Sequence, residues 1–464
     1  MDHIEFRDKV KDMKVLIIGL GKSGKAAAAA LTELGASVSI QDASQPEKID
    51  QDFLMKMREL GVTEYLGCLP EDMTAFDMLV LSPGVSPEKD FVRTAEESGA
   101  EIIGELELAY RLTPAKFVAI TGTNGKTTTT TLVGEIFKAA GRKTSVVGNI
   151  GEPVVTEAIR AGEDNWMVTE VSSFQLETTR FFRPCVSAIL NLTPDHLNRH
   201  HTMEAYGNAK ARIAVNQSED EFLVVNYDDK QALALAQQSR ATVIPFSRKE
   251  KLDCGAFVDD TAIIVKDLDG TEYFICDTSD LRIIGDHNVE NALAAAAIAY
   301  FAGIEPNVIT EAVKKFPGVE HRIEFSGKYK GVEYFNDSKG TNVDAAVIAI
   351  KALRDNIILI AGGDGKAQDF TDLARHLKGA VTALVLLGRD APQIEEAARK
   401  EGFTDIYYCA DMEECVRKAS ELAREGDKVL LSPACASWDM YDNFEQRGRH
   451  FKKCVKELLD DGIK

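Results

Sequence analysis

The stretch Phe117-Val-Ala-Ile-Thr-Gly-Thr-Asn-Gly-Lys-Thr127 reads as an apolar strand that ends in a glycine turn carrying a lysine. A helix-forming run follows it to Ala140, and Pro114 breaks the chain just before it. In such a strand-turn-helix, backbone N–H groups and the helix N-terminus cradle phosphates, Lys126 adds a positive charge and Thr127 offers a hydroxyl to Mg²⁺. The fit to G-x-x-x-x-G-K-[ST] is imperfect: Ile120 stands five before Gly125, so the leading glycine is Gly122 and the loop is a shorter variant. A tight turn with a surface lysine is the blander alternative. The flanking strand and helix favour nucleotide binding.

Towards the N-terminus, Val15-Leu-Ile-Ile-Gly19 runs into Gly19-x-Gly21-x-x-Gly24. A helical stretch from Lys25 to Leu34 and a strand from Val38 to Gln41 follow, which makes a β-α-β unit opening a doubly wound domain. Met78 to Leu81 is another apolar strand, and it stops at Ser82-Pro83-Gly84, where ligands sit in such sheets. Asp42, eighteen residues after Gly24, completes a pattern that alone would suggest NAD, with the acid on a ribose hydroxyl. Such loops hold many nucleotides, and a phosphate loop already follows. A nucleotide diphosphate is therefore the preferred ligand, with NAD as the alternative.

Towards the C-terminus, strands over Trp166 to Val171 and Ser187 to Asn191 continue the second domain, and Asn288 to Gly303 reads as a buried Ala-rich helix. Phe316-Pro317-Gly318 punctuates the chain. Ile357 to Ala361 then ends at Gly362-Gly-Asp-Gly365, Ala383 to Leu387 ends at Gly388, and Lys428 to Leu431 ends at Ser432-Pro433. Three α/β domains are expected: a Rossmann-like N-terminal domain (1–107), a central P-loop ATPase-type mononucleotide-binding domain (108–318) and a Rossmann-like C-terminal domain (319–464).

Composition agrees with several cores and excludes some partners. At 464 residues and 45% apolar the chain exceeds what one hydrophobic core supports. A net charge of −20 opposes any general attraction to nucleic acid. Met1 to Lys14 lacks an apolar leader, and the longest nearly apolar run, Ala292 to Ile304, is too short to span a bilayer. The eight cysteines are scattered without a C-x-x-C pair, as in a reducing compartment. A cytoplasmic protein with no membrane and no nucleic-acid partner is expected.

Glu170 closes one central strand, which puts a carboxylate where a second Mg²⁺ ligand is often found; an ordinary strand-end acid is the alternative. After the next strand comes Asn191-Leu-Thr-Pro-Asp195-His196-Leu-Asn-Arg-His200-His201, a cluster suited to a metal or phosphate. No cysteines accompany it at zinc spacing and H-E-x-x-H is absent, so Mg²⁺ with oxygen ligands and one imidazole is preferred. His287-Asn288-x-x-Asn291 precedes the Ala-rich helix, and its asparagines are read either as helix caps or as nucleotide contacts.

Taken in order, Thr121 to Thr127, Glu170-Val-Ser-Ser-Phe-Gln-Leu-Glu177, Asp195-His196, His287-Asn288-x-x-Asn291 and His321-Arg322 resemble the Mur ligase family over essentially the whole chain. Asn336-Asp337-Ser338-Lys339-Gly340-Thr341-Asn342, Gly362-Gly-Asp-Gly-Lys366, Leu431 to Asp439 and Asn443-Phe444-Glu-Gln-Arg447 resemble its D-glutamate-adding member, and the Asp-Asn-Pro-Arg signature of the enzyme adding the third residue is absent. Gly340 stands where many relatives carry alanine.

The resemblance implies that D-glutamate is joined to UDP-N-acetylmuramoyl-L-alanine at the expense of ATP, through an acyl phosphate, by a protein expected to be a monomer. It implies ATP contacts from Gly122, Thr123, Asn124, Gly125, Lys126, Thr127, Thr128, Asn288, Asn291, Arg322, Asp337 and Lys339. The UDP-substrate would meet Gly19, Leu20, Gly21, Lys22, Ser23, Asp42, Ser82, Pro83, Gly84, Asn149 and His196. D-glutamate would meet Thr341, Lys366, Ser437 and Phe444. Two Mg²⁺ would be held by Thr127, Glu170, His196 and Lys210, with Lys210 carbamylated. Lys126, Glu170, His196 and Lys210 are the implied catalytic group, and domain closure would accompany turnover. Relatives adding other amino acids, a folate-type glutamate ligase and a non-catalytic nucleotide sensor are the competing readings.

Overall fold

A computed structural model describes residues 2–366 and 368–461, the side chains of residues 460 and 461 excepted. It contains three sheets. The first has five parallel strands, β1 (Lys14–Ile18), β2 (Ser37–Asp42), β3 (Thr63–Leu66), β4 (Met78–Leu81) and β5 (Glu101–Gly104), in the order 3-2-1-4-5. The order reverses between β1 and β4, so the turns at Gly19 and Ser82 flank a switch-point crevice.

The central sheet has nine strands: β6 (Lys116–Thr121), β7 (Lys143–Gly148), β8 (Asn165–Glu170), β9 (Val186–Ile189), β10 (Phe222–Asn226), β11 (Thr242–Ser247), β12 (Gly255–Asp259), β13 (Ala262–Lys266) and β14 (Glu272–Asp277), in the order 14-13-12-11-10-9-6-8-7. β6 lies between β8 and β9, which brings the ends of all three strands to one edge. Pairing is parallel as far as β12, and β12–β13–β14 form an antiparallel meander that the sequence reading left out. Its signal was present: the alternation of β13 is flanked by turns at Asp260, whose φ is +53°, and Gly270, whose φ is +89°.

The third sheet comprises β15 (Glu324–Tyr329), β16 (Val332–Asn336), β17 (Ile357–Ala361), β18 (Val381–Leu386), β19 (Ile406–Tyr408) and β20 (Lys428–Leu431), in the order 15-16-20-17-18-19. Only the β15–β16 pair is antiparallel. The parallel strands β17 and β20 carry unbroken apolar runs because helices cover both faces.

Compactness separates two units, residues 1–281 with 290–315, and residues 282–289 with 316–464. The first unit holds the first two sheets because one apolar cluster joins them: Val15, Ile17 and Val80 belong to the same buried group as Phe117, Met167 and Leu223. The helix Glu105–Leu112 bridges the two sheets, and its Leu106, Leu108 and Leu112 are buried in that cluster.

Candidate functional site

The turn after β6 is shaped by two glycines, Gly122 at φ +154° and Gly125 at φ +82°, a backbone that other residues rarely adopt. A Cβ on Gly125 would lie 2.3 Å from Asn291 Oδ1. The helix Lys126–Ala139 starts immediately afterwards, so its first amides open towards the turn. Asn191, at the end of β9, clasps the loop: its Oδ1 accepts the Asn124 N–H at 2.8 Å, and its Nδ2 donates to Asn124 O at 3.1 Å. Thr123 Oγ1 meets Thr193 O at 3.1 Å and Tyr206 OH at 3.2 Å. Lys126 Nζ donates to Gly122 O at 2.9 Å and Thr123 O at 2.8 Å.

A second lysine reaches the same carbonyl. Lys210, on the helix Met203–Ala211, is buried, and its Nζ donates to Gly122 O at 2.8 Å. Burial, and then the charge of Lys126, pushes its ammonium down to about 6, against the opposing pull of Asp195 and Glu170. Glu170 is itself 2% exposed. Its Oε1 accepts Asn149 Nδ2 at 2.8 Å, while its buried Oε2 has no hydrogen-bond partner among the described residues. A carboxyl group with a spare buried oxygen offers a hard ligand atom, so Glu170 fits Mg²⁺.

The two histidines nearest Phe174 differ in burial. His196 is half-exposed, with Nε2 3.4 Å from Asp195 Oδ2 and its ring 4.9 Å from that of Phe174. His200, expected only as a member of that metal- or phosphate-binding cluster, is the buried one. Its Nε2 lies 2.9 Å from Ser173 Oγ, its ring stacks on Phe174, and burial lowers its pKa below the ordinary value. Two histidines four apart on one helical turn, beside an aromatic, could have suggested this division.

At the first sheet, Gly19 has φ +86°, and a Cβ on Gly24 would fall 1.9 Å from Gly19 O, so the turn and the helix Lys22–Glu33 can approach only through glycine. Ser82 Oγ donates to Gly19 O at 2.7 Å, which ties the two crevice turns together. Burial would raise the Asp42 carboxyl, but backbone amides of Leu20 (2.7 Å) and Ser44 (2.8 Å) prevail and hold it below the usual range. Leu20, Gly21, Lys22, Ser23, Pro83 and Gly84 all lie on these two turns or in the first helical turn after Gly21.

The second unit gathers its own set. Asp337 is buried, its Oδ2 accepting Ser432 Oγ at 2.6 Å and its Oδ1 the Ile323 N–H at 3.3 Å. Burial pushes its carboxyl up to about 6 against the hydroxyl of Ser432 and the charge of Arg322. Arg322 also lowers His287, which burial chiefly pushes down to about 4. Lys339 Nζ stands 5.7 Å over the Phe444 ring, and Lys366 Nζ 4.3 Å over the exposed Trp438. Arg447, which the sequence reading quoted only within a motif, stitches two loops: Nε and Nη2 bind Ser338 at 3.0 and 2.8 Å, and Nη1 binds Cys435 O at 3.1 Å. Ser437 is buried two residues beyond Cys435, and Thr341 N donates to Lys339 O at 2.9 Å. Asn288 Nδ2 donates to Ile284 O at 2.8 Å in this unit, whereas Asn291 lies in the first and accepts Thr129 Oγ1 at 3.2 Å.

The class that this fold and phosphate loop define is an α/β nucleotide-using enzyme of several domains. Three family profiles match the chain: a Mur ligase MurD-like N-terminal domain over residues 13–104, the Mur ligase middle domain over 120–299 and the Mur ligase glutamate ligase domain over 321–435. The UDP-N-acetylmuramoylalanine--D-glutamate ligase of Thermoanaerobacter sp. (strain X514) is 47% identical over 97% of this chain and 99% of that protein. The enzyme of the same description from Clostridioides difficile (strain 630) is 48% identical over 97% and 99%. Among solved structures, the UDP-N-acetylmuramate-alanine ligase of Thermotoga maritima has the same fold, with a TM-score of 0.59 at 19% identity, covering 96% of this chain and all of that one. The MurF ligase of Thermotoga maritima in complex with ADP gives 0.57 at 18%, covering 82% and 95%. The chain belongs to the Mur ligase family.

Proposed function

We propose that this protein joins D-glutamate to UDP-N-acetylmuramoyl-L-alanine, consuming ATP, in the synthesis of peptidoglycan precursors. The observation that carries the reading is end-to-end similarity to D-glutamate ligases, 47% over 453 residues. We divide the labour as residues 1–107 for the UDP-substrate, 108–318 for ATP and 319–464 for D-glutamate. A monomer in the cytoplasm is proposed. All eight cysteines are free, and no helix among the described residues is long and apolar enough to cross a membrane.

A carboxylate is a poor acyl donor because oxide would have to leave. Transfer of the ATP γ-phosphoryl to the L-alanyl carboxylate gives an acyl phosphate and ADP, and the D-glutamate amine then displaces phosphate. The turn from Gly122 to Thr128 holds the triphosphate through backbone amides, and Lys126 neutralises charge that grows on the phosphoryl oxygens. Thr127, Glu170, His196 and Lys210 would hold two Mg²⁺, which when bound supply charge neutralisation between phosphate oxygens and the acyl carboxylate. Lys210 suits carbamylation because its amine is buried against the loop and burial favours the neutral, nucleophilic form. Glu170 is held in place by Asn149.

The crevice turns with Asp42, Ser82, Pro83 and Gly84 would take the UDP end of the substrate, and Asn149 and His196 its acyl end. Asn288, Asn291, Arg322, Asp337 and Lys339 would order ATP. Thr341, Lys366, Ser437 and Phe444 would grip D-glutamate. Lys126→Ala should abolish ADP formation while leaving UDP-substrate binding intact, as read by coupled ADP release and calorimetric titration. Undiminished ADP formation would refute the role of the loop.

A further inference from the structure

Glu105 is the first residue of the helix that follows β5, and it is 3% exposed. Its Oε1 accepts the Val155 N–H at 2.6 Å, and burial pushes its carboxyl up to about 7 against the amides of Val155 and Val154. Its Oε2 is buried and has no hydrogen-bond partner among the described residues. Leaving a carboxylate oxygen buried and unsatisfied is unfavourable, so such an atom in a cavity wall points to a donor that arrives from elsewhere.

The cavity is there. Glu105 lines it together with Ser82, Pro83, Val85, Phe174 and Gln175, and the accessible space of about 10 Å³ is the size of a single water-like group. On one side stands the crevice turn that ties to Gly19 through Ser82. On the other stands the segment that follows Glu170, capped by Ser172 and carrying Phe174 against His196 and His200. Gly104 keeps the wall close, since a Cβ there would meet Thr178 Oγ1 at 2.3 Å.

We infer that Glu105 is a specificity-determining residue whose Oε2 accepts a hydrogen bond from one hydroxyl or amide N–H of the acylated amino sugar of the substrate. This rests on the proposed reaction, in which the sugar links the diphosphate, held by the Ser82 turn, to the acyl carboxylate near Glu170. The cavity lies along that path. A single small donor fits it, and a whole ring does not. Gln in place of Glu keeps the size and an acceptor for Val155 but presents an N–H where the sugar needs an acceptor.

Titration of the intact protein with UDP-N-acetylmuramoyl-L-alanine, without ATP, tests this in wild type and in Glu105→Gln and Glu105→Asp. Glu105→Gln should weaken binding about 10- to 100-fold, the loss expected when a buried donor is left without its acceptor. Glu105→Asp should recover part of that loss. The Michaelis constants for ATP and D-glutamate should stay close to wild type. UDP itself, which lacks the sugar, should bind wild type and Glu105→Gln equally. Equal affinity of wild type and Glu105→Gln for the full substrate would overturn the inference and leave an ordered water only at Oε2. Equal weakening for UDP and for the full substrate would overturn it in favour of a structural cap on Val155. If wild type fails to bind the substrate at all, the proposed function fails, a result distinct from either of these.

Discussion

Asp337 shows how a single side chain can be unfavourable for the fold and still be retained. Its carboxyl is pushed up to about 6 from 3.8 because burial outweighs Ser432 and Arg322. A folded-state value above the unfolded one means that the native form binds the extra proton between pH 4 and pH 6. Stability from this group is therefore present below about pH 4 and lost as pH rises through 6, roughly 3 kcal/mol in all. Asp337→Asn should raise the melting temperature at pH 7.5, with the gain vanishing near pH 4, and should depress ATP turnover at both. A melting temperature at pH 7.5 equal to or below wild type would contradict the burial argument. Such residues were only partly legible in the sequence. Asp337 stood out within a motif, but nothing in the order of letters distinguishes it from a half-buried turn acid such as Asp364, because burial is set by β16 and β20 meeting from distant positions. Lys210 is the same case: by pattern it is a surface lysine, and only the fold brings it onto Gly122 O.

At the scale of elements, the phosphate turn is legible because its geometry is local. Strand, glycine, lysine and helix are consecutive, and the structure places β6 within one residue and the helix Lys126–Ala139 within two of the sequence reading. Gly125→Ala should be destabilising by about 1–3 kcal/mol and should weaken ATP binding, since the left-handed backbone and the 2.3 Å approach to Asn291 Oδ1 act together. Chemical denaturation and nucleotide titration would check this. Gly21→Ala offers the contrast, because its Cβ meets nothing within 4 Å and its φ is −68°; near-native stability is expected there. The meander β12–β14 went unread for the opposite reason. The alternation and turns of its hairpins are local, but its strands are short, and the pairing of β12 with the edge of a parallel sheet is not announced by them.

At the scale of the whole molecule, three sheets were foreseeable from three strand-then-glycine repeats, but their grouping was not. Two of the sheets share a single apolar cluster, and no sequence boundary at residue 107 reveals that the helix Glu105–Leu112 buries itself in both. The proposed division of labour predicts separable defects. Ser437→Ala should raise the Michaelis constant for D-glutamate about tenfold or more, as expected for one lost polar contact to a charged ligand, with ATP affinity unchanged. Parallel loss of both would contradict the division. The central claim, that the loop at Gly125 and Lys126 passes a phosphoryl group to an acyl carboxylate awaiting D-glutamate, is tested most directly by amino-acid-dependent phosphate release. Purified protein with Mg²⁺, ATP and UDP-N-acetylmuramoyl-L-alanine should release phosphate on addition of D-glutamate and stay silent with L-alanine, L-glutamate or a diamino acid. Silence with D-glutamate, or equal release with any of the others, would contradict it.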